Sequence, residues 1–148
     1  MYVRLLQPPA RGRITAQVEA GEALFNSLQC SACHIPSIRT GDHEIPELAN
    51  QTVALFSDLL LHDMGEGLAD NRPDGDADGY EWRTAPLWGT RLVAEFLGGQ
   101  EFYLHDGRAT TVEDAILLHG GEAQAARDGF AALATADREA VIAFVKSL

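Results

Sequence analysis

The residues with the clearest chemical potential are the two thiols and the imidazole of Cys30-Ser31-Ala32-Cys33-His34. This is the C-x-x-C-H pattern of c-type haem attachment, in which each cysteine forms a thioether to one haem vinyl group. The adjacent His34 then supplies the proximal ligand of the iron. The sequence has 2 cysteines, both in this motif, so none remains for a disulfide framework or for further thiolate ligands of a metal. We therefore predict one covalently bound haem c.

A second protein ligand is expected on the other face of the haem, where His and Met are the usual residues. Thr111 is predicted to cap a helix on which His119 shares the apolar face with Ile116. Because a haem buried in a small domain needs a sixth ligand, His119 is the first candidate. His62 and Met64 remain open as alternatives, although the glycines that follow them indicate a tight turn packed against the haem.

A possible calcium site lies at Asp74, Asp76 and Asp78, whose spacing matches the first half of an EF-hand loop. In that loop, alternate carboxylates converge on one hard cation. The twelfth position is Ala85, where a bidentate Glu is required. The alternative interpretation is therefore a solvated acidic loop.

Two helices are predicted to hold this chemistry in place. Thr15 is a plausible N-cap for a helix with Val18, Gly21 and Phe25 on its apolar face, which leads directly into the cysteine motif. Thr135 is predicted to cap the last helix, whose apolar face includes Val141, Ile142, Val145 and Leu148. Glycine in a helix interior costs about 1 kcal/mol relative to alanine, and a close crossing with the last helix would explain its presence at position 21. We therefore expect the two helices to cross at Gly21.

Length and composition indicate one small domain. The 148 residues are 46% hydrophobic, enough for one core, and the predicted fold is an all-α, cytochrome c-like bundle over residues 16–148. Residues 1–15 are predicted to be an N-terminal arm or linker, because Pro8 and Pro9 accompany several basic residues there without apolar periodicity.

The charge balance bears on partners and location. The formal net charge of -11 disfavours nucleic acid or anionic lipid and would suit a redox partner protein with a basic docking face. No apolar run reaches the roughly 18 residues of a membrane span. Attachment of haem c implies a periplasmic or otherwise extracytoplasmic location. Residues 1–4 begin no recognisable signal peptide, so we expect a different gene start or a piece of a longer secreted chain.

Three segments carry a resemblance to a known family: the cysteine motif, residues 82–88 (Trp-Arg-Thr-Ala-Pro-Leu-Trp) and residues 103–115, which include His105-Asp106-Gly107. Together they resemble the C-terminal haem domain of the di-haem cytochrome c peroxidases. The similarity is closest to the branch called di-haem oxidoreductases, sometimes labelled thiol oxidoreductase-like. In the peroxidases, a Met near the end of the helix after His-Asp-Gly ligates the electron-transfer haem. The matching residue here is His119, so the resemblance implies ligation by His34 and His119, with His105 near the haem but not axial.

The chain departs from that family in having one C-x-x-C-H motif where those enzymes have two haems. A haem closed by two histidines cannot bind hydrogen peroxide without losing one of them. We therefore expect a mono-haem electron-transfer protein without catalytic residues of its own, acting alone or as a subunit of a larger redox complex. The alternative is part of a di-haem peroxidase or oxidoreductase that acts on hydrogen peroxide or another small substrate.

Overall fold

The computed structural model describes residues 5–148 and places the core between the first and last helices. The helices are α1 (Ala16–Ser27), α2 (Val93–Phe96), α3 (Val112–Leu117), α4 (Gln124–Ala131) and α5 (Thr135–Val145). Short 3-10 helices lie at Cys30–Ala32, Pro46–Leu48, Thr90–Leu92 and Gly121–Ala123. Within residues 5–148, no helix is long and apolar enough to cross a bilayer.

The chain between the cysteine motif and α2 forms strands and loops. β1 (Ile38–Arg39) pairs antiparallel with β2 (Thr52–Val53), and β3 (Leu61–Asp63) pairs antiparallel with β4 (Glu81–Arg83). The prediction of an all-α, cytochrome c-like bundle is therefore wrong, because the described residues form a mixed α/β structure with two small antiparallel sheets.

The physical reason lies in the composition of residues 35–92, where four prolines and several glycines recur. Proline lacks an amide donor and disrupts a helix interior, so this long segment cannot form a run of helical hydrogen bonds. Its backbone groups must still be paired, and short antiparallel ladders supply some of the partners. Only part of the apolar run at residues 53–61 belongs to the core, since Phe56 is buried whereas Leu60 is 60% exposed.

The first and last helices cross closely, as predicted. Phe25 of α1 and Phe144 of α5 are buried with their ring centroids 5.1 Å apart. Gly21 lies where α1 meets α5, and a Cβ atom there would overlap the carbonyl oxygen of Ala140. Thr15 caps α1 as predicted, accepting a hydrogen bond from the amide of Val18 at 3.3 Å. The N-cap of α5 is instead Ala134, and Thr135 is the first helical residue.

Substituting Gly21→Ala is expected to lower the free energy of unfolding by about 1–3 kcal/mol, the usual cost of overpacking a well-packed core. The added methyl group meets the backbone of α5, which cannot rotate away as a side chain can. Chemical denaturation of the purified protein measures the effect. Gly41→Ala is the matched control, because nothing lies within 4 Å of the position of its Cβ. An equal effect of the two substitutions would contradict the close crossing.

The predicted arm is described from residue 5 onward, and residues 1–4, with the question of a signal peptide, lie outside the described residues. Part of the arm contacts the end of the chain. The amide of Gly12 donates a hydrogen bond to the carbonyl oxygen of Ser147 at 2.7 Å, and Arg11 forms an ion pair with Glu22 of α1 at 3.0 Å. These contacts place residues 11 and 12 against the crossing of α1 and α5.

Candidate functional site

Cys30 begins the short 3-10 helix that follows α1, and Cys33 is the C-cap of that helix. The turn between them begins at Gln29, which has a left-handed backbone with φ of 65°, and the amide of His34 donates a hydrogen bond to the carbonyl oxygen of Cys30 at 3.0 Å. Both thiols are free. Burial raises the pKa of Cys30 to about 11, and burial together with the charges of Asp58 and Glu122 raises the pKa of Cys33. The site therefore holds two neutral thiols side by side rather than a reactive thiolate.

The ring of His34 is oriented by a backbone carbonyl. Its Nδ1 atom lies 3.0 Å from the carbonyl oxygen of Phe56. A carbonyl oxygen can only accept a hydrogen bond, so Nδ1 carries the proton and the lone pair is on Nε2. Burial lowers the pKa of His34, which keeps the ring neutral near pH 7. A neutral imidazole oriented in this way is what an iron ligand requires.

The ring of His119 is also oriented by a backbone carbonyl, here one that belongs to α3. Thr111 caps α3, accepting a hydrogen bond from the amide of Asp114 at 3.0 Å as predicted, and His119 follows the end of that helix. Its Nδ1 atom lies 2.7 Å from the carbonyl oxygen of Ala115, so the lone pair is again on Nε2. Burial lowers the pKa of His119, which favours the neutral ring.

The fold brings these two histidines together. His119 lies near enough to contribute to the lowered pKa of His34, although the two residues come from opposite halves of the chain. Exposed leucines flank the site in sequence and would be covered by a large apolar ligand: Leu59, Leu60, Leu61, Leu117 and Leu118. Neutral paired thiols, two imidazoles with available Nε2 atoms and exposed aliphatic side chains fit a c-type haem.

His62, one of the alternative ligands, is instead enclosed by carboxylates. Its Nε2 atom lies 2.9 Å from Asp58, and its Nδ1 atom lies 2.9 Å from Glu122. These two hydrogen bonds raise the pKa of His62. Partial burial raises the pKa of Asp58, but hydrogen bonds from the Leu60 amide and from His62 outweigh it, so the pKa lies below its ordinary value. A ring with both nitrogens engaged is not available to iron.

Asp58 and Glu122 are the site residues that the sequence analysis missed. Asp58 lies in a loop and Glu122 in the 3-10 helix Gly121–Ala123, far apart in sequence, and acidic residues are common in this chain. The one signal was the position of Glu122, three residues after His119. Nothing in the spacing of Asp58 and His62 indicated that a third residue would join them.

The cluster around His62 also reaches the thiol of Cys33. The ligand atoms of Cys33, Asp58 and His62 lie within 4.8 Å of one another. Such a group could in principle hold a metal ion, but the electrostatics oppose it. A metal needs a thiolate and a neutral imidazole, and this environment works against both forms because it raises the pKa of Cys33 and of His62.

The proposed calcium loop does not form such a group in residues 5–148, because the carboxylates of Asp74, Asp76 and Asp78 do not converge within the same distance. Asp78 accepts a hydrogen bond from the amide of Tyr80 at 2.8 Å, as an exposed turn residue does.

His105 and Trp82 form a stack beside the His62 strand. Their ring centroids are 3.5 Å apart with an interplanar angle of 6°, and Trp82 is paired with His62 across β3 and β4. The indole Nε1 atom of Trp82 is buried without a hydrogen-bond partner among the described residues. Met64, the other alternative ligand, is half-buried, and its amide donates to the carbonyl oxygen of Tyr80 at 3.0 Å.

A comparison with protein families places these features in context. Residues 1–148 match the family described as "Di-haem oxidoreductase, putative peroxidase". Comparisons with curated proteins and with solved structures give no match. The family match covers all three segments on which the sequence resemblance was based.

Proposed function

Because the chain belongs to the di-haem oxidoreductase family, we propose that it carries one haem c and transfers electrons in an oxidoreductase of that kind. Cys30 and Cys33 hold the haem covalently, and His34 and His119 are its axial ligands. The bound haem supplies a one-electron couple at its iron. Family membership confirms the resemblance found in the sequence and implies a haem cofactor; the number of haems and their mode of attachment belong to the proposal.

One observation supports the ligand assignment above the others. His34 and His119 each direct Nδ1 to a backbone carbonyl, at 3.0 Å and 2.7 Å, so both present Nε2 as the free lone pair. Histidines that ligate metals are usually oriented by a hydrogen bond from the other ring nitrogen. Finding this arrangement on two neighbouring neutral histidines supports a haem with two imidazole ligands.

The roles of the remaining residues follow from where they lie. Burial of both imidazoles keeps them neutral, so neither needs to lose a proton before binding iron. Two strong protein ligands leave no open position at the metal, which suits electron transfer without bond formation. The net charge of -11 favours a partner with a basic docking face, and haem c attachment favours an extracytoplasmic location.

The family description supports a second candidate, reduction of hydrogen peroxide or oxidation of a small substrate. In that case, the sixth position must open, and His119 is the ligand that would leave. Both buried histidines are already oriented by backbone carbonyls with Nε2 available to a metal, which favours a closed site, so we place this activity second.

Absorption and electron paramagnetic resonance spectra of the oxidised holoprotein test the proposal. We expect low-spin signals of a haem with two imidazole ligands, and no change of the Soret band when peroxide or carbon monoxide is added. Spectra of a high-spin haem, or a rapid change on addition of peroxide, would support the peroxidase instead. A protein purified from a host with haem c maturation but without bound haem would contradict both.

A further inference from the structure

A chain of hydrogen bonds joins the two segments that carry the proposed haem ligands. The amide of Asp58 donates to the carbonyl oxygen of Cys33 at 2.8 Å. The carboxylate of Asp58 lies 2.9 Å from Nε2 of His62, and Nδ1 of His62 lies 2.9 Å from Glu122. Cys33 directly precedes His34, and Glu122 follows His119 by three residues. We name Asp58, His62 and Glu122 the His62 bridge.

The segment after His119 is seated on the end of β3 by close backbone contact. A Cβ atom on Gly120 would lie 2.8 Å from the carbonyl oxygen of Met64, and one on Gly121 would overlap the carbonyl oxygen of Asp63. The second carboxylate oxygen of Glu122 accepts a hydrogen bond from the amide of Asp63 at 3.0 Å. Glu122 therefore fixes the segment to both the backbone and the side chain of β3.

The central residue of the bridge is held on both sides by groups that only accept hydrogen bonds. Ionised carboxylates have no proton to donate, so both nitrogens of His62 must carry one, and the ring is a cation. Hydrogen bonds between charged partners are about twice as strong as neutral ones. The side chains of His62 and Asp58 are only 17% and 11% exposed, which limits competition from water. The His62–Asp58 half of the bridge is therefore shielded from water, whereas Glu122 holds the other nitrogen of His62 from the surface, with 57% of its side chain exposed.

We propose that His62 is a positioning residue that, through Asp58 and Glu122, holds His119 at the haem iron and so keeps the sixth position closed. This inference rests on the proposed ligation by His34 and His119. The bridge fixes the distance between the two ligand segments, which no backbone ladder joins directly in the described sheets. Without His62, Glu122 keeps its hydrogen bond to the Asp63 amide but loses its link to Asp58, so the His119 segment is no longer tied to the Cys33 segment and can move from the iron.

The substitution His62→Gln tests the proposal, because glutamine cannot reach both carboxylates. Loss of a hydrogen-bonded residue that orients a metal ligand typically weakens the ligand about 10- to 100-fold. We expect the apparent affinity of the ferrous holoprotein for carbon monoxide to rise by the same factor. The ferric protein should gain a high-spin fraction in its electron paramagnetic resonance spectrum. Carbon monoxide is the probe because it needs the position that His119 leaves.

A second variant and a control variant distinguish an effect on haem ligation from an effect on folding. The Glu122 side chain is 57% exposed, so Glu122→Gln is expected to keep the fold and to act in the same direction. His43→Gln is the matched control, because His43 accepts one local hydrogen bond from the amide of Ile45. Circular dichroism on heating measures stability separately from ligation.

The outcomes separate this inference from the proposed function. Carbon monoxide binding that rises in His62→Gln or Glu122→Gln, but not in His43→Gln, supports the positioning role. Variants with lower thermal stability and unchanged ligand binding would show a merely structural role and overturn it. A wild-type protein without the signals of two imidazole ligands would overturn the proposed ligation itself.

Discussion

A holoprotein in which Cys30 and Cys33 are both replaced by serine is expected to lose its haem on denaturation, whereas the wild-type protein keeps it. The thioether bonds proposed at these residues are covalent and survive unfolding, but a serine hydroxyl cannot form them. Axial ligation alone depends on the folded structure, because His34 and His119 come from distant parts of the chain. Acid extraction followed by intact-mass measurement checks the result.

Ser31→Ala is the appropriate control, since Ser31 lies in the same turn and has no proposed bond to the haem. Its mass after denaturation should still exceed that of the polypeptide by one haem. Haem retained by the double serine variant after denaturation would contradict covalent attachment at this motif. Single cysteine variants should each retain one thioether and therefore keep the haem.

The substitution His119→Met is expected to raise the reduction potential by on the order of 0.1 V, a fraction of the ~0.8 V range that axial ligands span. Imidazole favours ferric iron more than a thioether does, so exchanging one for the other stabilises the reduced state. Potentiometric titration with optical detection measures the change. The oxidised variant should also gain the long-wavelength absorption band that is typical of methionine ligation.

His105→Gln is the control for this prediction. His105 is stacked on Trp82 at a centroid distance of 3.5 Å and is not a proposed axial ligand, so its loss should leave the ligation signals unchanged. If His105→Gln removed the signals of two imidazole ligands while His119→Met did not, the assignment of the second ligand would be wrong.

The helix caps near the site depend on residues that are close in sequence, and the helix crossing was indicated by one residue, so both could be predicted. Thr15 and Thr111 cap helices because their hydroxyl groups reach free amides three residues on, and such pairs are recognisable in a sequence. Gly21 indicated a helix crossing because glycine in a helix is costly unless a neighbour needs the space. The family was also recognisable, since its segments are short and contiguous.

The predicted fold class was wrong because no strong hydrophobic period is present between residues 35 and 92. β1 to β4 are two or three residues long, too short for alternation of polar and apolar residues to appear. Their pairing joins positions 38 with 53 and 62 with 82, and such contacts depend on the path of the loops between them. Prolines and glycines predicted loops in this region but not which loops would pair.

What the sequence alone determined was the contiguous chemistry: the thiol pair with its histidine, the helix that presents His119, and the family. The tertiary structure alone decided that His62 is engaged by Asp58 and Glu122, and that backbone carbonyls of Phe56 and Ala115 orient the other two histidines. A motif is read along the chain, because its residues are neighbours by covalent connection. A hydrogen bond between residues 62 and 122 exists only after folding has brought those segments together, and no local preference of either residue encodes it.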